Sequence, residues 1–202
     1  MLLEINPDNP QPRLIEQVAQ CLLDGGVIAY PTDTTYGIGC SIFNKKGLER
    51  IYQVKHRDKR KPFSFICNDL SEVSRYARLS NMAFKVMRRY LPGPYTFVLE
   101  ASREVPDLLT TRQKTVGIRI PDNRICLAIV NALGAPLVTT SANLSGEEPV
   151  GDPYEINQRF AALDLVVDGG RLTTDVSTVV SMVDDQMELL RQGAGDSSWL
   201  RQ

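Results

Sequence analysis

Apolar residues recur along the chain in two kinds of spacing, and each kind predicts a different element. A repeat of three to four residues predicts an amphipathic helix, whereas a short continuous apolar run predicts a buried strand. Helical spacing occurs at 14–22, 48–52, 70–77, 80–90 and 125–133. Strand-like runs occur at 1–5, 27–30, 63–67, 95–99, 115–120, 136–140, 165–167, 177–183 and 187–191. Strands that alternate with short helices predict an α/β (α+β) fold, a twisted sheet with helices packed against it.

Turn and capping residues separate these elements. Gly25-Gly26 ends the first helix, and Gly134 ends the helix that Asp122 is expected to cap. Asp152 followed by Pro153 predicts the start of a further helix, because an aspartate caps well and a proline is tolerated in the first turn. Three of the predicted helices therefore have a local reason to begin or to end.

Composition limits the class of protein. The chain has 202 residues, 43% of them hydrophobic and 23% charged, which predicts a single globular domain over 1–202. A net charge of −1 and a sequence pI of about 5.9 argue against binding to nucleic acid by bulk charge. The four cysteines form no Cys-x-x-Cys, which is typical of a reducing compartment. With no signal peptide and no long apolar run, a cytoplasmic protein that does not enter the membrane is expected.

The stretch 54–62 concentrates positive charge in an otherwise nearly neutral chain. It contains five Lys or Arg residues and lies between a predicted helix and a predicted strand. Loops held between rigid elements often carry binding residues, and such a cluster suits a polyanion such as a nucleotide triphosphate. A solvated basic turn is the alternative explanation.

Polar turns follow several apolar strands. The turn 31–37 and the turn 141–146 are rich in hydroxyl and amide groups, and Arg119 interrupts an apolar strand near its end. Polar turns at strand ends often bind ligands, although ordinary Asx or proline turns are the alternative explanation. Arg119 requires an anionic partner, which is either a protein carboxylate or a ligand. If these strand ends share one rim of the sheet, one concave site contains Thr34, Thr35, Lys55, Arg57, Arg119, Ser141, Asn143, Ser177, Thr178 and Arg191.

The residue types exclude several kinds of chemistry. His56 is the single histidine, so zinc sites built on several histidines are excluded, and a Ser-His-Asp triad would need that histidine as a neutral base inside a cationic loop. Neither a P-loop nor a dinucleotide-binding glycine motif occurs. Cations combined with hydroxyls and an amide fit phosphate-centred transfer, in which positioning and charge stabilisation supply most of the rate.

Five short motifs stand in an order that resembles one known family. They are Pro31–Gly37 (PTDTTYG), Lys55-x-Arg57, Arg119-x-Pro121, Ser141-x-Asn143 and Ser177-Thr178-Val179. This set resembles the YrdC-like proteins, the threonylcarbamoyl-AMP synthase family, over essentially the whole chain. The resemblance implies a single-domain twisted mixed sheet with flanking helices and a concave cationic cavity. It also implies formation of threonylcarbamoyl-AMP from L-threonine, bicarbonate and ATP with Mg²⁺, for tRNA modification, without a tightly bound cofactor or a resident metal.

The resemblance also implies roles for individual residues. The catalytic tetrad would be Lys55, Arg57, Ser141 and Asn143, with Lys55 and Arg57 on the triphosphate. The residues implied to bind ATP are Arg57, Lys61, Ser141, Asn143 and Arg191. Those implied to bind threonine are Thr34, Thr35, Arg119 and Ser177.

Two stretches depart from the dedicated tRNA synthases. The strand 63–67 and the run 92–97 resemble the YciO-like branch of the family more closely. The alternatives to a synthase are therefore a protein that hydrolyses threonylcarbamoyl-AMP, or a YciO-like protein that binds nucleotide or double-stranded RNA. tRNA or double-stranded RNA is accordingly a further expected partner. Against RNA binding stand the acidic pI and the lack of aromatic residues among the basic ones.

Overall fold

The computed structural model of the chain describes residues 1–56, 63–110 and 113–201. The helices are α1 (Pro12–Leu23), α2 (Lys45–Val54), α3 (Leu70–Tyr76), α4 (Asn81–Tyr90), α5 (Arg124–Leu133) and α6 (Pro153–Arg159). The strands are β1 (Leu2–Glu4), β2 (Ile28–Tyr30), β3 (Gly37–Gly39), β4 (Ser64–Ile66), β5 (Tyr95–Glu100), β6 (Thr115–Arg119), β7 (Leu137–Ser141), β8 (Leu165–Asp168), β9 (Thr178–Ser181) and β10 (Glu188–Arg191). Short 3-10 turns cover Asp107–Leu109, Val183–Asp185 and Ser198–Arg201.

All ten strands belong to one twisted mixed sheet, as the sequence pattern and the family resemblance predict. Its order is β1-β8-β2-β3-β7-β4-β6-β5-β9-β10. The pairs β1/β8, β2/β8, β4/β6 and β5/β9 are parallel, and the remaining neighbours are antiparallel. The central strands β7, β4 and β6 bring residues from distant parts of the sequence side by side.

One hydrophobic core joins the sheet to its helices. Helix α1 shows why the helical spacing is present, because Ile15, Val18 and Leu22 lie on one face and are buried against α5 and β8. Full burial of such a side chain contributes about 1.5–3 kcal/mol. The longest helix in the described ranges has only 12 residues, and none of the described helices is suited to crossing a bilayer.

Strand β3 was not predicted from the sequence, because Gly37-Ile38-Gly39 is short and lacks the usual strand-forming side chains. Its pairing with both β2 and β7 holds it in the sheet. Gly39 is required by close approach: a Cβ there would lie 1.9 Å from the carbonyl oxygen of Val138. The register places Gly37 opposite Ser141, so β3 brings the turn 31–36 next to the end of β7.

The expected cap of α5 was wrong by one residue. Asn123 caps this helix, and its side chain accepts a hydrogen bond from the backbone N–H of Cys126 at 2.9 Å. The N–H of Asp122 instead donates to Asp33 Oδ2 at 3.1 Å. The backbone of Asp122 therefore holds the turn that contains Asp33. Local capping preferences cannot reveal such a long-range contact.

Two further helix boundaries were predicted correctly, as was the end of α1 just before Gly25. Asp152 caps α6, accepting from the N–H of Tyr154 at 2.9 Å, and Pro153 lies at the start of the helix. Gly134 ends α5 in the left-handed conformation with φ of 67°, which a glycine adopts without a steric penalty.

Candidate functional site

A cavity of about 230 Å³ lies on the sheet where β3, β5, β6, β7, β9 and β10 meet. It is smaller than the roughly 300–1,000 Å³ of pockets that bind drug-sized ligands, so its volume suits a group the size of an amino acid. Six of the residues predicted from the sequence line it: Thr34, Thr35, Arg119, Ser141, Ser177 and Arg191.

Arg119, the last residue of β6, is held by a buried carboxylate. Its Nη2 lies 2.8 Å from Asp33 Oδ1, and the two side chains are only 9% and 8% exposed. The same nitrogen donates to Thr34 Oγ1 at 3.1 Å. Because the N–H of Asp122 holds the second oxygen of Asp33, the guanidinium has a fixed position. Of the two partners considered for Arg119, a protein carboxylate is thus present.

Two buried polar atoms beside this ion pair have no partner. Across the described ranges, Thr35 Oγ1 and Arg119 Nε are the buried side-chain polar atoms without a hydrogen-bond partner. Both residues line the cavity. Leaving such an atom unsatisfied costs about 1–3 kcal/mol, and buried polar groups in native proteins are seldom left in this state. The pair of atoms therefore points to a ligand with an oxygen for the N–H and a polar group for the hydroxyl.

The turn that carries Thr34 and Thr35 is fixed from within. The Thr32 hydroxyl donates to the carbonyl of Thr35 at 2.6 Å and accepts from the N–H of Thr34 at 3.1 Å. Because the Thr32 hydroxyl has given up its one hydrogen, Thr34 must be the donor in the 3.0 Å contact between the two hydroxyls. Thr34 thus has both an internal donor bond and an internal acceptor bond, whereas Thr35 is held only through its backbone.

The opposite wall is formed by β9, β10 and the segment before β9. The hydroxyls of Ser177 and Thr96 lie 2.7 Å apart, and Arg191 donates to the carbonyl of Ser177 from Nε at 3.2 Å and from Nη2 at 2.8 Å. Partial burial, followed by repulsion from Arg119, lowers the pKa of Arg191. Two guanidinium groups that face the same small cavity favour an anionic ligand.

Lys55, Ser141 and Asn143 form a second cluster at the end of β7. Lys55 is 1% exposed, and its Nζ donates to the Ser141 carbonyl at 2.5 Å, the Asn143 carbonyl at 2.6 Å and Asn143 Oδ1 at 2.9 Å. The Ser141 hydroxyl donates to Asn143 Oδ1 at 2.6 Å. The structure thus brings these three residues together across 86–88 positions of sequence, although only Ser141 is part of the cavity lining.

Three of the predicted positions have a different outcome. Arg57 and Lys61 lie outside the described residues. Thr178 was wrongly placed in the site: its fully buried hydroxyl donates to the Gly195 carbonyl at 2.7 Å and accepts from the N–H of Gly193 at 3.0 Å. Strand alternation explains this, because consecutive residues Ser177 and Thr178 point to opposite sides of the sheet.

Sequence reasoning did not single out Asp33, although it lies within the turn 31–37. The available signal was an acidic residue in a turn bounded by apolar segments, in a chain that also needed an anion for Arg119. Gly37 and Thr96 were also missed, and both line the cavity. A Cβ at Gly37 would approach the Tyr30 ring within 2.9 Å and Thr139 Oγ1 within 3.1 Å, so a larger residue would crowd this wall.

The sequence of this chain matches one protein family. The model of the Sua5/YciO/YrdC family, which carries the description "Telomere recombination", matches residues 20–193. The chain belongs to this family, as the order of its five motifs predicts.

Particular relatives place the chain more closely within it. It is 43% identical over 195 residues to the Escherichia coli (strain K12) protein named "Uncharacterized protein YciO", with 95% of each chain covered. It is 33% identical over 196 residues to a putative threonylcarbamoyl-AMP synthase of Methanocaldococcus jannaschii, covering 95% of this chain and 91% of that protein. The higher identity to YciO agrees with the resemblance of 63–67 and 92–97 to the YciO-like branch.

Solved structures agree with these relationships. The crystal structure of E. coli YciO superposes with a TM-score of 0.94 at 41% identity, covering 98% of both chains. The structure of Sua5 from P. abyssi complexed with L-threonine superposes with a TM-score of 0.90 at 26% identity. That match covers 96% of this chain and 57% of the Sua5 chain.

Proposed function

We propose that this protein binds L-threonine in the cavity and ATP beside it, at Ser141 and Asn143, and forms threonylcarbamoyl-AMP. L-Threonine, bicarbonate and ATP would give threonylcarbamoyl-AMP, pyrophosphate and water. The threonine amine and bicarbonate form a carbamate with loss of water. A carbamate oxygen then bonds to the α-phosphorus as the bond from that phosphorus to the pyrophosphate leaving group breaks.

The observation that carries this proposal is the pair of unsatisfied atoms, Thr35 Oγ1 and Arg119 Nε. An amino-acid carboxylate accepts hydrogen bonds from a guanidinium N–H, and bonds to charged groups contribute about 1.5–3 kcal/mol. The hydroxyl of Thr35 would bond a second polar group of the same small molecule. Asp33 holds the guanidinium in advance of binding, so little rotamer entropy is lost when the ligand arrives.

The reaction itself requires cations at the junction of the two substrates. A carbamate and a triphosphate are both anions, and at an effective dielectric constant near 20 two unit charges about 4 Å apart repel by roughly 4 kcal/mol. Arg191 lines the same cavity as Arg119 and would neutralise part of this charge. Arg57 and Lys61 would contact the triphosphate, and Mg²⁺ would accompany ATP as its counterion. Ser141 and Asn143 would position the nucleotide.

The relatives support this assignment at different levels. The P. abyssi Sua5 structure is a complex with L-threonine, and the M. jannaschii relative is named a putative threonylcarbamoyl-AMP synthase. The YciO relative, at higher identity, has a name without an activity. Thr35 and Arg119 thus support a carboxylate-bearing ligand with a second polar group, and the Sua5 complex supports threonine as that ligand.

The test is incubation of the protein with ATP, threonine, bicarbonate and Mg²⁺, followed by detection of pyrophosphate and threonylcarbamoyl-AMP. We expect both products in equal amounts, and neither when threonine or bicarbonate is omitted. A matched control is Arg78→Ala, which removes an exposed arginine paired with Glu100 and should leave the rate unchanged.

Two results would contradict the proposal. Binding of ATP without pyrophosphate or adenylate would favour a nucleotide- or RNA-binding protein. Hydrolysis of added threonylcarbamoyl-AMP, with no synthesis from threonine, bicarbonate and ATP at any ratio of their concentrations, would favour a hydrolase.

A further inference from the structure

We infer that Lys55 is a positioning residue, whose ammonium holds the turn Ser141–Asn143 in place, and that direct contact with phosphate belongs to other groups. This inference rests on the proposed function for its nucleotide. It departs from the role that the family resemblance implies for Lys55, which is to hold the triphosphate.

The oxygen atoms around Lys55 are numerous enough to occupy its N–H donors. A lysine ammonium has three N–H donors and no acceptor. The Lys55 ammonium lies within 2.5–2.9 Å of three oxygen atoms, the carbonyls of Ser141 and Asn143 and the side-chain oxygen of Asn143. These three acceptors are already enough to occupy all three donors. A phosphate oxygen could gain an N–H from this group only if one of these bonds were broken or shared.

Lys55 determines how the side chains of Asn143 and Ser141 are oriented. An ammonium can only donate, so the amide oxygen of Asn143 must face Lys55 and its nitrogen must face the Glu147 carbonyl, which lies 2.6 Å away. That same oxygen receives the hydrogen of the Ser141 hydroxyl. Lys55 therefore fixes the orientation of the Asn143 amide, and through it the rotamer of the Ser141 hydroxyl at the cavity wall.

The backbone of Lys55 is itself held at both its N–H and its carbonyl. It forms the C-terminal cap of α2, with its N–H donating to the Ile51 carbonyl at 3.1 Å, and its own carbonyl accepts from the N–H of Ser145 at 3.0 Å. The backbone and the side chain of Lys55 thus both bind the segment 141–145. A lysine ammonium presents its three donors from one atom, whereas the donors of an arginine are spread over a planar guanidinium.

Lys55 and Asn143 therefore have different roles within the predicted tetrad. Asn143 keeps one amide N–H beyond its bond to Glu147, and this donor remains available to a ligand. Loss of Lys55 should therefore weaken nucleotide binding by releasing Asn143 and Ser141, about as much as loss of the Asn143 side chain does.

The first experiment compares Lys55→Met with Lys46→Met in the ligand-free protein. Lys46 is exposed on the same helix, so the second variant makes the same chemical change at a neutral position. We expect Lys55→Met to shift the backbone amide NMR signals of 141–145 and the side-chain amide signal of Asn143, and Lys46→Met to leave them in place. Unchanged signals in Lys55→Met would overturn the inference. This result does not depend on whether ATP is a substrate.

The second experiment is a double-mutant cycle on ATP affinity with Lys55→Met and Asn143→Ala. We expect each single variant to weaken binding about tenfold, since each removes charge-assisted or positioned bonds, and the double variant to be much less than a hundredfold weaker. Additive losses would overturn the inference, because they would mean that Lys55 and Asn143 contact the nucleotide independently. Absence of ATP binding in the wild type would contradict the proposed function instead.

A measurement on the wild-type protein covers the case in which Lys55→Met does not fold. The ¹⁵N-labelled ammonium signal of Lys55, identified by its proximity to Asn143, should be protected from exchange without ligand. We expect saturation with ATP to leave its chemical shift nearly unchanged. A large shift, of the kind that follows a change of acceptor from carbonyl to phosphate, would overturn the inference.

Discussion

The buried cations at the two ends of the candidate site differ in how completely their N–H donors are hydrogen-bonded. At Lys55, three N–H donors meet three oxygen atoms of the chain. At Arg119, one nitrogen is bound to Asp33 and Thr34, while Nε is buried without a partner and the neighbouring hydroxyl of Thr35 is likewise unsatisfied. Both side chains are almost completely buried, so exposure does not distinguish them.

This difference shows how to separate a binding residue from one that supports it. A buried donor that is satisfied by the chain stabilises the folded protein without a ligand, whereas an unsatisfied one costs free energy until a ligand arrives. Residue type alone does not separate the two cases, since both lysine and arginine bind phosphate and carboxylate groups. The hydrogen-bond partners within the chain do separate them.

The largest expected effect comes from Arg119→Ala. Removing the guanidinium leaves the Asp33 carboxylate buried and unpaired, which should lower the free energy of unfolding by about 3–5 kcal/mol. Arg78→Ala, which breaks an exposed pair with Glu100, should cost under about 1 kcal/mol. Urea denaturation of both variants measures the difference.

A double variant then separates stability from binding at the same pair. Asp33→Asn combined with Arg119→Met removes both charges, so most of the lost stability should return while threonine binding stays absent. If calorimetry shows threonine binding in the double variant at wild-type affinity, Arg119 is not a ligand-binding residue and the comparison fails.

The second prediction concerns two threonines three positions apart. Thr32→Val removes a hydroxyl that bonds the Thr35 carbonyl and the Thr34 N–H, and should cost about 1–3 kcal/mol of stability. Thr35→Val removes an unsatisfied hydroxyl, so stability should change by less than about 1 kcal/mol while threonine affinity falls about tenfold. Thermal denaturation and calorimetry on the pair measure both effects. Greater destabilisation by Thr35→Val than by Thr32→Val would contradict the contrast between satisfied and unsatisfied groups.

The smallest effect is expected at an ion pair outside the cavity lining. Asp164 accepts from the N–H of Val27 at 2.7 Å and from Arg50 at 2.9 Å. Partial burial opposes ionisation, but these bonds outweigh it and lower the pKa of Asp164. A depressed carboxylate pKa stabilises the fold above the unfolded value of about 3.9 and loses this contribution as the pH falls through the folded value.

The matching variant is Asp164→Asn, measured by urea denaturation between pH 3 and pH 7. Because both partners are 37–40% exposed, the variant should be less stable than the wild type by under about 1 kcal/mol near neutral pH, and the gap should close below about pH 4. Threonine affinity should stay at the wild-type level throughout. A gap that widens in acid would contradict the sign of the pKa shift.

Much of the fold could be predicted because each element carries its own pattern. The apolar face of α1 and the continuous apolar runs of β6 and β7 are visible in the sequence, because the residues that are buried there are apolar. Strand β3 could not be predicted, because its place depends on pairing with two strands far away in the sequence. The cap at Asn123 was missed because aspartate and asparagine are about equally good caps, so local preference does not choose between neighbouring residues.

The composition of the site was easier to predict than its internal contacts. The pattern of polar and charged residues at predicted strand ends indicated Thr35, Arg119 and Ser141, which the fold brings to one cavity. The bond from Lys55 to Asn143 spans 88 positions and the pair of Arg119 with Asp33 spans 86. No local pattern encodes such pairs, so the sequence indicates which residues are polar but not which of them are already satisfied.

The most direct test of the central claim is the NMR signal of the Arg119 Nε–H group in the ¹⁵N-labelled protein, identified by its loss in Arg119→Lys. Addition of L-threonine to saturation should shift this signal strongly, because the N–H gains its first acceptor, while the ammonium signal of Lys55 stays in place. An Nε–H signal that does not move when threonine binds, or a Lys55 signal that moves in its stead, would contradict the account.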